Sequence, residues 1–229
     1  AAKADRKAGE NKVYVIVSDA LRYEVAAEIA QLLRQETQSK VELFGMMGIF
    51  PTITPFGMAA LLPHRKLTVQ ERTNGTLAVL ADEMSTDMSN RDKVLKAANP
   101  NSVALQYKNI IGLKRADRQA LVKGMDVVYI YHDKIDEAAH TSDISVFPAC
   151  EDAAQEIMNL VRIIVNEFGG TNILITADHG FLYTYSPLSE DSKVGKDSWN
   201  GSDVEYGRRY AIFREGTTPE YLMPVKFIG

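Results

Sequence analysis

Hydrophobic and polar positions alternate in blocks along this chain, and the period changes from block to block. Val13–Val17 is a short β-branched apolar run, the pattern of a buried parallel strand. From Ala20 the apolar residues Leu21, Val25, Ile29 and Leu32 recur at intervals of three and four, which predicts a helix. Val41–Met47 reads as a second strand. Thr76–Met84 and Asp92–Ala98 read as short helices, Ser102–Tyr107 as a strand and Asp117–Lys123 as a helix. Val127–Tyr131 predicts a strand, and Glu151–Phe168 a long amphipathic helix stopped by Gly169-Gly170. Ile173–Thr176, Tyr210–Phe213 and Pro224–Ile228 complete the predicted strands. Ser186–Arg208, polar and rich in Ser, Asp and Gly, reads as a long loop.

Strands alternating with helices predict an α/β fold, a mostly parallel central sheet with helices on both faces. The polar opening, residues 1–12, reads as a linker or excision scar, and residues 13–229 as one domain. With 45% hydrophobic and 24% charged residues the chain has the makings of a core, which excludes a disordered or collagen-like chain. The net charge of −4 argues against a globally basic nucleic-acid binder. Cys150 is the single cysteine, so no intrachain disulfide and no Cys-x-x-Cys zinc site forms, and a reducing cytoplasmic setting is expected. No apolar run approaches the roughly 20 residues of a membrane span.

Candidate chemistry gathers where strands end, the place where open parallel sheets bind ligands. Val13–Val17 ends in Ser18-Asp19. Val127–Tyr131 ends in His132-Asp133, with Asp136 and His140 beyond. Ile173–Thr176 ends in Ala177-Asp178-His179-Gly180. Each has an ordinary reading: Asp19 as a helix N-cap, Asp136 and His140 as a surface pair at i, i+4, and Asp178 as a turn aspartate. Together Asp19, Asp136, Asp178, His140 and His179 supply carboxylate and imidazole donors suited to two divalent metals. Thr54, in Pro51-Thr52-Ile53-Thr54-Pro55-Phe56-Gly57-Met58, can present its hydroxyl at a helix N-terminus or bond its own backbone. Arg22, one turn past Asp19, reads equally as a phosphate contact or a solvated arginine. Tyr107, Tyr131 and Tyr183 read as core. No G-x-G-x-x-G, P-loop or G-x-S-x-G motif is present, which removes dinucleotide, P-loop and serine-hydrolase readings.

The motifs VSDALRYE, PTITPFGMAALLPH, YHDKID and LITADHGFLY, in this order, resemble the alkaline phosphatase superfamily, and more closely the PglZ domain of bacterial BREX phage-defence systems. The resemblance implies an alkaline-phosphatase-like fold and a metal-dependent phosphoesterase, of phosphodiesterase or nuclease type. It implies Thr54 as nucleophile and phosphothreonine carrier, Asp19, Asp178 and His179 around one metal with Thr54, and Asp136 and His140 on a second. It implies two divalent ions, zinc by family habit, a phosphoester substrate with nucleic acid among the candidates, and other phage-defence proteins as partners. The alternative is a catalytically weak scaffold or partner-binding domain. The family's second metal takes a further histidine from a later His-Gly-Gly stretch. The four histidines here are His64, His132, His140 and His179, none later than residue 179. The chain therefore reads as a fragment of a longer protein; His132, which precedes Asp133 at a strand end, reads first as serving locally and only second as a substitute.

Overall fold

A computed structural model describes residues 12–141, 146–183, 186, 189–192, 203–207, 210–220, 222 and 224–225. In chain order the elements are β1 (Val13–Ser18), α1 (Tyr23–Glu36), α2 (Thr54–Ala60), β2 (Leu67–Glu71), β3 (Leu77–Ala81) and β4 (Met84–Ser85). There follow α3 (Arg91–Ala98), β5 (Ser102–Gln106), α4 (Tyr107–Ile111), α5 (Arg115–Val122), β6 (Val127–His132), α6 (Lys134–Thr141) and α7 (Val146–Asn166). The last strands are β7 (Asn172–Thr176), β8 (Asp203–Tyr206) and β9 (Ala211–Phe213).

Four strands form one parallel sheet in the order β5-β6-β1-β7. Alternation within β1 explains how the sheet is covered. Tyr14 and Ile16 point into the larger core, with Ile29 and Leu33 of α1 and Ile157, Leu160 and Ile164 of α7. Val15 and Val17 point to the opposite face, where they meet Met58 of α2. The α/β architecture expected from the alternating blocks is thus present, with helices on both faces. The register sets Ser18 beside His132 and Val17 beside Thr176, so the three polar strand ends emerge together at one edge.

Several local expectations are corrected. Thr76–Met84 is not helical: β3 pairs antiparallel with β2 and then with β4. The reason is the Asn74-Gly75 turn, where Gly75 takes φ +80° and Asn74 Oδ1 accepts from the Thr76 backbone N–H. That dipeptide between two apolar runs was the overlooked hairpin signal. Val41–Met47 forms no strand and pairs with no described strand, and Met47 is 95% exposed. Part of the expected loop Ser186–Arg208 is a strand, because β8 pairs with β9 in a separate antiparallel ribbon. That ribbon, rather than the parallel sheet, takes the predicted strand at Tyr210–Phe213, and it joins the hairpin through Glu205, which accepts from the Leu77 backbone N–H at 3.1 Å. Pro224 and Val225 belong to no regular element, and the remainder of the Pro224–Ile228 expectation lies outside the described residues, as do residues 1–11. Tyr131 is buried beside Val15, Val17 and Met58, and Tyr107 packs against the larger core, but Tyr183 is 43% exposed, edge-on to Phe147.

Candidate metal centre

Each residue of the centre is delivered by a different piece of the fold. Asp19 follows β1, and its backbone N–H bonds the His132 carbonyl at the end of β6. It does not cap a helix, because α1 begins at Tyr23 with Arg22 as its N-cap. Ala20 sits at φ +62°, a left-handed conformation costing about 1–2 kcal/mol for a non-glycine residue. The turn aims the Ala20 N–H at Asp178 Oδ1, 3.2 Å away. Asp178 therefore holds a segment 158 residues distant as well as its own turn, where the His179 backbone N–H also bonds its carboxylate. Thr54 opens α2, and that short helix reaches the Asp178 loop because residue 57 is glycine. A Cβ there would stand 2.3 Å from the Asp178 carbonyl oxygen.

Asp19, Asp178 and His179 each offer a ligand atom, and the three atoms lie within 4.8 Å of one another. His179 Nε2 is 3.5 Å from Asp19 Oδ1 and 3.4 Å from Asp178 Oδ2. The Nδ1–H of His179 donates to the Gly180 carbonyl at 2.8 Å, which leaves the Nε2 lone pair facing the carboxylates. Thr54 Oγ1, 3.0 Å from Nε2, donates its hydroxyl proton to that lone pair.

The fit of a cation to this set rests on two oxygens. Asp19 Oδ1 and Asp178 Oδ2 are buried with no hydrogen-bond partner. Burial, together with the neighbouring Asp178 and Asp136 charges, pushes the Asp19 carboxyl up to about 8. Burial likewise raises Asp178. Two buried carboxylates with unmet lone pairs destabilise the fold unless a proton or a cation joins them. Two oxygens and one nitrogen are donors that suit zinc, with a fourth position left open beside the Thr54 hydroxyl.

The second expected pair is arranged differently. Asp136 and His140 lie on α6 one turn apart, with Oδ2 to Nε2 at 3.2 Å. The charge of Asp136 acts on Asp19, so α6 borders the centre. The His140 side chain is 80% exposed and does not join the compact trio. His132 is committed elsewhere: Nδ1 lies 3.0 Å from Ser18 Oγ and Nε2 2.9 Å from Glu156 Oε2. The ring sits edge-on to Tyr107, and burial lowers its pKa, so it braces the β1 and β6 ends. Arg22 pairs with Glu24 at 2.7 Å and lies over the Phe181 ring.

A parallel sheet with helices on both faces, carrying an acid-and-histidine centre beside a threonine hydroxyl at its strand ends, defines an alkaline-phosphatase-like domain. The family model "BREX system PglZ alkaline phosphatase-like domain" matches residues 2–226, and the chain belongs to that family. It is 36% identical over 216 residues to the alkaline phosphatase-like protein PglZ of Bacillus cereus (strain H3081.97), covering 93% of this chain and 25% of that protein. It is 41% identical over 204 residues to the alkaline phosphatase-like protein BrxZ of Escherichia coli O9:H4 (strain HS), covering 88% of this chain and 23% of that protein. The chain thus spans about a quarter of the length of these curated relatives. No helix among the described residues is long and apolar enough to cross a membrane.

Proposed function

We propose that this chain carries the nucleophile and first metal centre of a metal-dependent phosphoesterase acting in a bacterial phage-defence system. The observation that carries the reading is the 3.0 Å contact between Thr54 Oγ1 and His179 Nε2, beside two buried carboxylate oxygens without partners. Asp19, Asp178 and His179 would hold one divalent ion, and Asp136 and His140 would contribute to a second. Such ions, zinc by family habit, neutralise the carboxylates and lower the pKa of a nearby hydroxyl.

The chain's own residues do the rest. The Gly180 carbonyl fixes the His179 tautomer, and Nε2 in turn orients the Thr54 hydroxyl. Thr54 Oγ1 then forms a bond to phosphorus as the bond from phosphorus to the leaving oxygen breaks, and the threonine proton ends on that oxygen. Water hydrolyses the phosphothreonine and restores the hydroxyl. An unactivated threonine is a weak nucleophile near neutral pH, so the site must supply this activation. The substrate is a phosphoester, nucleic acid among the candidates, and other defence proteins are the expected partners in the cytoplasm.

The second reading is a catalytically weak scaffold of the same defence complex. It is favoured by the exposed His140, whose pairing is with Asp136 on its own helix. Metal analysis and hydrolysis of a chromogenic phosphodiester by the full-length protein separate the two. Bound metal with turnover that disappears in Thr54→Ala supports the esterase. Metal-free, inert protein supports the scaffold.

A further inference from the structure

Glu156 lies midway along α7, and its carboxylate ties together two elements that lead into the metal centre. Oε2 accepts from the Nε2–H of His132 at 2.9 Å, and Oε1 lies 3.5 Å from Lys134 Nζ. His132 ends β6 and Lys134 opens α6. One carboxylate on the covering helix thus reaches both sides of the junction between that strand and that helix.

Each arm ends beside an acid of the centre. An ionised carboxylate only accepts, so Nε2 carries the imidazole proton. Burial favours the neutral ring, and Nδ1 then accepts the hydroxyl proton of Ser18, 3.0 Å away. Ser18 directly precedes Asp19, whose backbone N–H donates to the His132 carbonyl at 2.8 Å. His132 therefore holds the end of β1 by main chain and side chain together. Its ring is 1% exposed and stands edge-on to Tyr107, so it has no room to turn. The second arm is shorter. Lys134 lies two residues before Asp136, and its ammonium is also 3.3 Å from Asp152, one turn before Glu156 on α7.

We infer that Glu156 is a positioning residue of the metal centre. Through His132 it holds the Ser18–Asp19 corner of β1, and through Lys134 it holds the start of α6, which fixes where Asp136 stands relative to Asp19. The inference rests on the metal-centre reading and adds a residue that lies outside the ligand trio. Partners behind the ligands orient them, and losing one lowers metal affinity although no metal contact is removed. Without Glu156 the buried Nε2–H loses its acceptor, and the ring gives up the orientation on which Ser18 depends.

The test uses the full-length protein with zinc as the probe. Zinc affinity is measured by calorimetry, with thermal unfolding followed alongside. Glu156→Ala cuts both arms and should weaken zinc binding roughly 10-fold. Glu156→Gln keeps an oxygen that accepts from His132 and should restore most of that loss. Lys134→Met cuts the α6 arm alone and should resemble the glutamine variant. Ser18→Ala cuts the β1 arm at its far end and should lose nearly as much as Glu156→Ala. It also carries the test if Glu156→Ala does not fold. A parent that binds zinc and a folded Glu156→Ala that binds it equally well would overturn the role of Glu156 and leave the metal centre standing. So would a glutamine variant as weak as the alanine one, because the hydrogen bond to His132 would then not matter. A parent that binds no zinc would defeat the metal-centre reading and this one together.

Discussion

Gly57 of α2 lies directly against the backbone of Asp178, so closely that a Cβ would meet the Asp178 oxygen at 2.3 Å and its carbonyl carbon at 2.7 Å. The contact joins α2, which opens with Thr54, to the Asp178-His179 loop. Phe56, Met58 and Ala59 are buried around it, which leaves the helix little room to retreat. Backbone, unlike a flexible side-chain end, cannot swing aside. Gly57→Ala should therefore destabilise the protein by about 1–3 kcal/mol and displace Thr54 from His179. Chemical denaturation measures the first effect, and phosphoester hydrolysis by the full-length protein the second. An alanine variant with parental stability and turnover would show that α2 is free to move.

Thr54 is expected to matter for chemistry and little for metal retention. Its Oγ1 touches His179, while Asp19, Asp178 and His179 make up the compact ligand trio without it. Thr54→Ala should abolish hydrolysis by the full-length protein and leave metal content nearly unchanged. Thr54→Ser keeps the hydroxyl and should retain part of the activity. Full activity in Thr54→Ala would mean that water attacks phosphorus directly.

The 229-residue chain should bind one zinc ion tightly. Asp19, Asp178 and His179 converge, whereas the Asp136–His140 pair has an exposed imidazole, and His132 is occupied by Ser18 and Glu156. A site with two protein ligands relies on water for the others, and its affinity falls. Calorimetric titration should show one tight and one weak event. Asp178→Asn should remove the tight event, because an amide cannot replace the buried carboxylate. Two tight sites of similar affinity would contradict this arrangement.

The pH dependence of the metal-free chain follows from Asp19. Burial and the neighbouring Asp178 and Asp136 charges push its folded pKa up to about 8, well above the ordinary aspartate value of about 3.9. Between those values the folded state keeps a proton that the unfolded state has released, so stability falls as pH rises from about 4 to about 8. Metal binding needs the carboxylate, so zinc affinity should rise over the same window. Unfolding with a chelator present, at pH 5.5 and pH 7.5, checks the slope. Asp19→Asn should flatten it, and an equal slope in that variant would assign the effect to other groups.

The residues of the centre were legible in the sequence because parallel sheets place chemistry at strand ends, and Asp19 and Asp178-His179 each follow a β-rich apolar run. The periodicities also identified β1, β6, β7, α1 and α7, all elements whose burial pattern repeats locally. What failed were segments whose state depends on distant partners. Leu77–Ala81 became a strand by pairing with Leu67–Glu71 across the Asn74-Gly75 turn, and Val41–Met47, with no described strand to pair with, formed none. Glu156 escaped notice for the same reason. Its sequence neighbours do not reveal that His132, 24 positions back, donates to its carboxylate, or that Lys134 pairs with it. Which residues can ligate a metal is written into side-chain chemistry. Which of them meet is decided by strand register, by the close approach at Gly57 and by the left-handed turn at Ala20, because donor atoms cooperate only over a few ångströms.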